Sequence, residues 1–190
     1  MDYEAIRGLS RLQIRKLSVI IRKMLKIRTI KFPVLKVIDR LEVLYPDNFY
    51  YVSEEDCLFE KGVPAYLEPE TENMYCMHIR QSVYDGALKG RGDCLGFINH
   101  EIAHFCLIYL CGIGPKSYRF GNSIIYARET KWRKIEPCKS MEWQAKALCG
   151  ELIIPFEKCK DMSFPEVVVR TNSSMEQAAY FVNTVVPNSK

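Results

Sequence analysis

The sequence lacks any apolar run long enough for a membrane helix, which needs roughly 18–20 residues. The longest candidate, 102–113, is shorter and contains His104, a composition more typical of a buried helix. A signal-peptide pattern is also missing, because Lys and Arg are scattered through residues 7–28 in place of a clean apolar stretch. We therefore expect a cytoplasmic protein that does not interact with membranes.

Paired cysteine motifs are absent as well. None of the eight cysteines forms a C-x-x-C pair, and no export pattern points to a compartment that favours disulfides. We expect free thiols that act as small buried hydrophobic side chains. With 48% hydrophobic and 26% charged residues over 190 positions, the composition is that of a globular protein. No repeat or linker is visible, so 1–190 is predicted to be a single domain.

The order of the predicted elements indicates an α+β fold. A capping box of Ser10 and Gln13 opens a predicted helix over 11–27, and Pro33 fits the first turn of a second helix. The predicted organisation comprises an N-terminal helical segment (1–45), a small mixed sheet (46–92), two central helices that carry the candidate site (93–160) and a C-terminal helical pair (161–190).

Hydrophobic periodicity and turn residues predict the individual elements. Strands are expected at 49–52, 65–67, 74–80 and 124–127. The three glycines within 86–92 predict a mobile loop. The central helices are expected at 95–111 and, with Ser140 as its candidate cap, from there through Ile153. Capping-box spacings at Ser163/Glu166 and Ser173/Glu176 predict the two short C-terminal helices.

One motif carries chemistry: His100-Glu101-Ile102-Ala103-His104 has the form H-E-x-x-H. On a helix, residues four apart lie on the same face, so both imidazoles can bind one tetrahedral zinc ion while Glu101 is placed as a general base. The sequence has only three histidines, and two of them fall in this motif. Apolar neighbours such as Phe105 and Leu107 predict that the helix is largely buried.

A catalytic zinc needs a third protein ligand and one open position. His78 is the only other histidine, and a polar strand residue more often faces solvent. Glu142 begins the next predicted helix, 38 residues after His104, far enough for that helix to cross back over the site. Periodicity alone does not decide between Glu142 and four other candidates, which are Glu129, Glu136, Cys138 and Glu151.

The run Glu142-Trp143-Gln144-Ala145-Lys146-Ala147-Leu148-Cys149-Gly150-Glu151-Leu152-Ile153-Ile154-Pro155 resembles the signature E-x-x-A-N-x-F-A-A-E-L-L-M-P of the ImmA/IrrE family of metallopeptidases. The segment 79–87, which precedes a Gly-rich stretch and the H-E-x-x-H, is similar to members of this family too. The chain departs from the signature at Lys146, Leu148 and Cys149. These departures concern packing and access to the site.

The resemblance implies a zincin-like domain in which Glu142 is the third zinc ligand beside His100 and His104. It also implies a zinc endopeptidase that cuts a helix-turn-helix transcriptional repressor, relieving repression in a mobile element or stress operon. In the expected mechanism, zinc acidifies a bound water and polarises the scissile carbonyl, while Glu101 takes the proton from that water.

Two further parts of the mechanism concern the substrate and the oxyanion. The strand at 74–80 precedes the motif helix, and the resemblance implies that such a strand borders the cleft and can pair with an extended substrate. The oxyanion needs a donor, for which Tyr84, Tyr118, Tyr126 and His78 are candidates that the sequence does not rank.

Alternative functions must be weighed against this one. Residues 1–40 hold eleven Lys/Arg and three Asp/Glu, a net +8 that could attract nucleic acid but is also typical of an amphipathic helix. The C-terminal helical pair has helix-turn-helix proportions, yet 166–185 carry one Arg and two Glu, so direct nucleic-acid binding is not expected. The other alternative is a non-catalytic metal-binding regulator, such as a toxin–antitoxin-like partner, in which a base at Glu101 would not be needed.

Overall fold

The structure is a computed structural model, and it describes residues 2–53, 62–71, 74–120, 123–130 and 133–189. It has the predicted α+β architecture: along the chain, two helices precede the first strand of a small mixed sheet, and further helices follow its last strand. The helices are α1 Arg11–Met24, α2 Val34–Leu44, α3 Gln81–Leu88, α4 Gly92–Phe105, α5 Met141–Ile153, α6 Phe156–Cys159, α7 Phe164–Thr171 and α8 Met175–Tyr180. The strands are β1 Phe49–Ser53, β2 Ala65–Thr71, β3 Met74–Arg80, β4 Ser117–Phe120 and β5 Ser123–Tyr126.

Helix α1 begins at the predicted capping box, where the backbone N–H of Gln13 donates to Ser10 Oγ and the N–H of Ser10 donates to Gln13 Oε1. It ends three residues earlier than predicted, because Lys26 takes a left-handed φ of 53° that stops the helix. Its inner face packs on α5, where the buried Arg22 donates to the carbonyl of Leu152 at the end of that helix.

The main sheet has the strand order β1-β3-β2, with β1 parallel and β2 antiparallel to β3. Because β3 is central, both of its hydrogen-bonding edges are occupied, and β2 is an edge strand. The predicted strand at 124–127 is β5, which forms a hairpin with β4. No helix among the described residues is both long and apolar enough to cross a membrane.

The prediction of a mobile loop at 86–92 is wrong. Residues 81–88 form α3, and α4 already starts at Gly92. The glycines permit close packing here: a Cβ on Gly86 would lie 2.4 Å from Cys94 Sγ, and one on Gly92 would lie 2.7 Å from the Ser173 carbonyl. Only Gly90 serves as a turn residue, with a φ of 77° between the two helices.

The C-terminal helices differ in one detail from the prediction. The capping box at Ser163 and Glu166 is present at the start of α7. The second box is formed by Ser174 and Gln177, one residue later than predicted, because Asn172 adopts a left-handed φ of 59° and Ser173 is buried in the turn. The core joins apolar residues of α1, α2, α4 and α5 with those of the main sheet and of the C-terminal helices.

Candidate metal centre

The two motif histidines lie one turn apart on α4, as the sequence predicts. Their Nε2 atoms are 3.2 Å apart, and their rings meet edge to face with centroids separated by 4.7 Å. The opposite face of α4 is buried, with Ile98 and Ile102 fully enclosed in the core. Packing of that face on the core therefore turns both imidazoles toward α5.

Glu142 completes the group from the first turn of α5. Its two carboxylate oxygens lie 3.3 Å from His100 Nε2 and 3.2 Å from His104 Nε2. Hydrogen bonds from the two imidazoles, with a smaller electrostatic contribution from each ring, hold the pKa of Glu142 well below its usual range. The carboxylate is therefore ionised at neutral pH, which is the form that binds a metal.

The start of α5 is fixed by two hydrogen bonds that position Glu142. Ser140 Oγ accepts from the N–H of Trp143 at 2.8 Å, which is an ordinary helix cap. Asp2 Oδ1 accepts from the N–H of Glu142 itself at 3.1 Å. The N-terminal segment also runs against this helix start, since Tyr3 accepts a hydrogen bond from the N–H of Met141. No local pattern in the sequence indicates the contact between Asp2 and Glu142, which are 140 positions apart.

The spacing of the three side chains fits a tetrahedral ion. Zinc binds nitrogen and oxygen at about 2.0–2.2 Å, so two ligands of a regular tetrahedron lie roughly 3.3–3.6 Å apart. The two imidazole Nε2 atoms here are 3.2 Å apart, and they lie 3.3 and 3.2 Å from the two different carboxylate oxygens of Glu142. Among the described residues, His100, His104 and Glu142 form the one group of this kind that could hold a metal ion.

Glu101 lies beside this group without belonging to it. The residue is 8% exposed, and burial raises the pKa of its carboxyl to about 7. The electrostatic interaction with His100 and a hydrogen bond from the backbone of Leu67 lower this pKa, while the charge of Glu142 adds to the rise. A carboxyl with a pKa near neutrality can both accept and release a proton at physiological pH.

The group opens into a large cleft of about 1370 Å³. Its walls come from β2, α4, α5 and the C-terminal helices, and they include Ala65, Tyr66, Leu67, Gly96, Gln177 and Tyr180. The prediction that the strand at 74–80 pairs with substrate is wrong, because that strand is the central β3. Strand β3 reaches the cleft through Tyr75, but the free edge that lines the cleft is that of β2, which lies next to Glu101 through Leu67.

The other candidates for the third ligand lie apart from the metal group. Glu151 is on α5 but faces α1, where its carboxylate is 3.1 Å from Arg15 Nε. Glu136 pairs with Lys139 at 3.0 Å on the surface. His78 stacks between the rings of Tyr51 and Tyr66 and lies 3.4 Å from Glu68. Glu129 is exposed and Cys138 is partly buried.

The candidate oxyanion donors differ in whether they line the cleft. Tyr126 lines it and meets the ring of Tyr3 edge to face at 6.1 Å. Tyr84 stacks on Tyr50, and neither Tyr84 nor His78 lines the cleft. The side chain of Tyr118 lies outside the described part of the structure. Tyr3 and Tyr66 also line the cleft, and the sequence patterns did not single out either residue.

Comparison with known proteins adds no relative to these observations. No protein-family model, no curated protein and no solved structure matches the chain. The resemblance to ImmA/IrrE metallopeptidases therefore stays a prediction, and the functional argument depends on the geometry of the site.

Proposed function

We propose that the chain is a zinc-dependent metalloendopeptidase of the ImmA/IrrE type. One observation carries the proposal: two imidazoles and a carboxylate converge with separations of 3.2–3.3 Å, beside a buried glutamate, at the floor of an open cleft. A structural zinc site would be closed by four protein ligands, whereas a catalytic site keeps one position open. Three ligands facing a cleft favour the catalytic type.

The donor set also favours zinc over the harder cations. Magnesium and calcium prefer six or more oxygen ligands, while two imidazoles with one carboxylate in tetrahedral spacing suit zinc. A zinc ion held there would supply Lewis-acid chemistry, polarising a peptide carbonyl and acidifying a water molecule.

The protein's own part in the reaction falls to Glu101. Its carboxylate accepts a proton from the attacking water and delivers it to the nitrogen of the departing peptide. In the metal-free protein burial raises the pKa of Glu101 to about 7, and a bound zinc ion would favour the ionised form, which is the form that accepts the proton from water. Burial beside Leu67 keeps the carboxylate in place next to the edge strand.

Strand β2 offers a route for binding substrate. An extended peptide can add to a sheet edge through main-chain hydrogen bonds, with its alternate side chains directed into the cleft. A packed helix presents no such edge, so the cleaved segment must be extended or locally unfolded. We propose that the substrate is a helix-turn-helix repressor in the cytoplasm, which is the substrate class that the family resemblance implies.

The non-catalytic alternative predicts a different role for the same site. A regulator that only binds metal would have no use for a buried carboxylate with a pKa near 7 beside the ligands. The C-terminal helical pair also has another use here, since Ser174 and Gln177 of that pair form part of the cleft wall. The buried carboxylate therefore favours catalysis over a purely metal-binding role, and the place of Ser174 and Gln177 in the cleft wall favours it over DNA recognition.

The test begins with metal content. Purified protein should bind one zinc per chain, and Glu142→Gln should weaken this binding by more than about tenfold, which is the effect typical of losing only an outer-shell partner of a ligand. Glu136→Gln is the matched control, because Glu136 is an exposed glutamate that was also a candidate ligand. Equal zinc affinity in the two variants would contradict the proposed centre.

Catalysis is tested separately. The zinc-loaded protein is incubated with the repressor encoded beside it, and with a variant of that repressor whose linker is loosened by glycines. We expect a discrete fragment that forms faster from the loosened variant, and no fragment with Glu101→Gln. Tight binding of the repressor without cleavage by either protein would favour the non-catalytic alternative.

A further inference from the structure

Helix α1 presents an unusual face to solvent. Its inner side is packed on the core, but Leu12, Val19, Ile20 and Met24 on the outer side are 57%, 57%, 62% and 42% exposed. Lys16 and Lys23 are exposed on the same side. These six residues are called the α1 outer face. An exposed cluster of large apolar side chains on one helix face is typical of a surface that binds another molecule.

The charged residues of the segment that contains α1 have a single sign. Between Glu4 and Asp39 the sequence contains no acidic residue, while it contains ten Lys or Arg. On a helical projection at 100° per residue, Lys16 and Lys23 fall in the middle of the outer face, with Val19 and Leu12 on one flank and Ile20 and Met24 on the other. No ion pair links either lysine to another residue in the part of the chain that the structure describes.

We propose that the α1 outer face binds an acidic amphipathic helix of a partner protein. Such a helix has apolar side chains to cover the two apolar flanks, and glutamates or aspartates to pair with the central lysines. Two other anionic partners, a membrane and nucleic acid, suit the α1 outer face less well. A membrane would require the apolar residues at the centre and the lysines at the margins, and nucleic acid would place phosphates against four large apolar side chains.

The α1 outer face lies on a helix whose first residue reaches the cleft. Arg11, the first residue of α1, lines the cleft, and its guanidinium donates to Tyr180 Oη at 3.2 Å. A partner helix lying along α1 therefore has one end near the mouth of the cleft. The binding proposal does not depend on catalysis, because the outer face contains no residue of the metal centre.

The face can be altered without disturbing the fold. Helix α1 is held by its inner side, where Ile14, Ser18, Ile21 and Arg22 are buried. The outer side chains make no comparable contribution, because much of their surface is already in water. Substitutions there are expected to leave the free energy of unfolding within about 0.5 kcal/mol of the parent, as for ordinary surface positions.

The experiment uses a defined probe. A fluorescently labelled peptide of roughly 20 residues, with leucines at helical spacing and glutamates between them, is titrated with the full-length Glu101→Gln protein and followed by anisotropy. We expect saturable binding that weakens with added salt. Binding should fall by at least about tenfold in Lys16→Glu/Lys23→Glu and also in Val19→Ser/Ile20→Ser.

Three controls distinguish the alternatives. Lys89→Glu/Lys134→Glu makes the same change in net charge at exposed lysines outside α1 and should alter the peptide affinity less than about twofold. Vesicles of phosphatidylcholine containing one-third phosphatidylserine, and a DNA duplex, should bind more weakly than the peptide. No peptide binding at up to about 1 mM protein, equal loss in the Lys89/Lys134 control, or tighter binding to vesicles or DNA would each overturn the proposal.

Discussion

The close approach of α4 to the turn before α8 leads to a quantitative prediction for Gly92→Ala. Gly92 opens α4, and a Cβ placed there would lie 2.7 Å from the carbonyl carbon and oxygen of Ser173 and 2.8 Å from the nitrogen of Ser174. Its φ is not positive, so alanine is allowed by the local backbone. The substitution therefore adds one methyl group and changes little besides the contact.

The expected loss of stability is at the upper end of the range for overpacking. Inserting a methyl group into a packed region costs about 1–3 kcal/mol when neighbouring side chains can move. Here the neighbours are backbone atoms of a buried turn, and Ser174 is fixed by its capping box with Gln177. We therefore expect the free energy of unfolding to fall by about 3 kcal/mol, with displacement of the wall that Ser174 and Gln177 form in the cleft.

Gly150→Ala provides the matched control, since it is the same chemical change in the interior of α5. Nothing lies within 4 Å of a Cβ at that position, so the only effect is the better helix propensity of alanine. The free energy of unfolding should rise by about 0.5–1 kcal/mol. The two glycine-to-alanine variants should thus change stability in opposite directions.

Urea unfolding of chelator-treated protein, followed by circular dichroism, measures both effects without a contribution from bound metal. For a chain of this size, a loss of about 3 kcal/mol corresponds to a fall in Tm of roughly 6–12 °C. A Gly92→Ala protein as stable as Gly150→Ala would mean that the turn at Ser173 does not pack against the start of α4.

Three further predictions concern charged groups. In chelator-treated protein, the pKa of Glu101 is raised to about 7 from 4.5, so the free energy of unfolding falls by about 3 kcal/mol as pH rises between these values. Glu101→Gln should remove this fall. If urea unfolding gave the parent and Glu101→Gln the same dependence of stability on pH, the raised pKa would be refuted. Glu142→Ala should abolish stabilisation by added zinc in thermal melts, whereas an unchanged shift would exclude it as a ligand. Arg15→Ala removes the cation that pairs with the Glu151 carboxylate, whose side chain is only 3% exposed, and should lower the free energy of unfolding by about 3 kcal/mol. The double variant Arg15→Met/Glu151→Leu should recover most of that loss.

The parts of the structure that the sequence predicts are those that local rules determine. The helix with His100 and His104 follows from i,i+4 spacing and its apolar neighbours, and three of the four capping residues follow from short-range hydrogen bonds. The capping box at Ser174 was predicted one residue too early. Ser173 and Ser174 are both suitable caps, and only the left-handed turn at Asn172 decides between them.

Long-range contacts explain the errors. The glycines at 86–92 have two possible causes, chain flexibility and close packing, and the sequence does not indicate that Cys94 and Ser173 lie against them. The same limit applies to the sheet. Hydrophobic alternation identifies each strand, but the order that makes β3 central and β2 the edge beside the cleft depends on packing across the whole fold.

The two glutamates of the centre also show why residue type alone does not assign a role. Glu142 lies between two imidazoles that lower the pKa of its carboxyl, so it stays anionic and suits a metal ligand. Glu101, which follows His100 directly on the same helix, is buried, and its pKa rises to about 7, which suits proton transfer. Environments that move two carboxyl pKa values in opposite directions are typical of acid–base sites. Burial and local charge therefore favour the same division between ligand and base that the motif predicts for Glu101 and the family resemblance implies for Glu142.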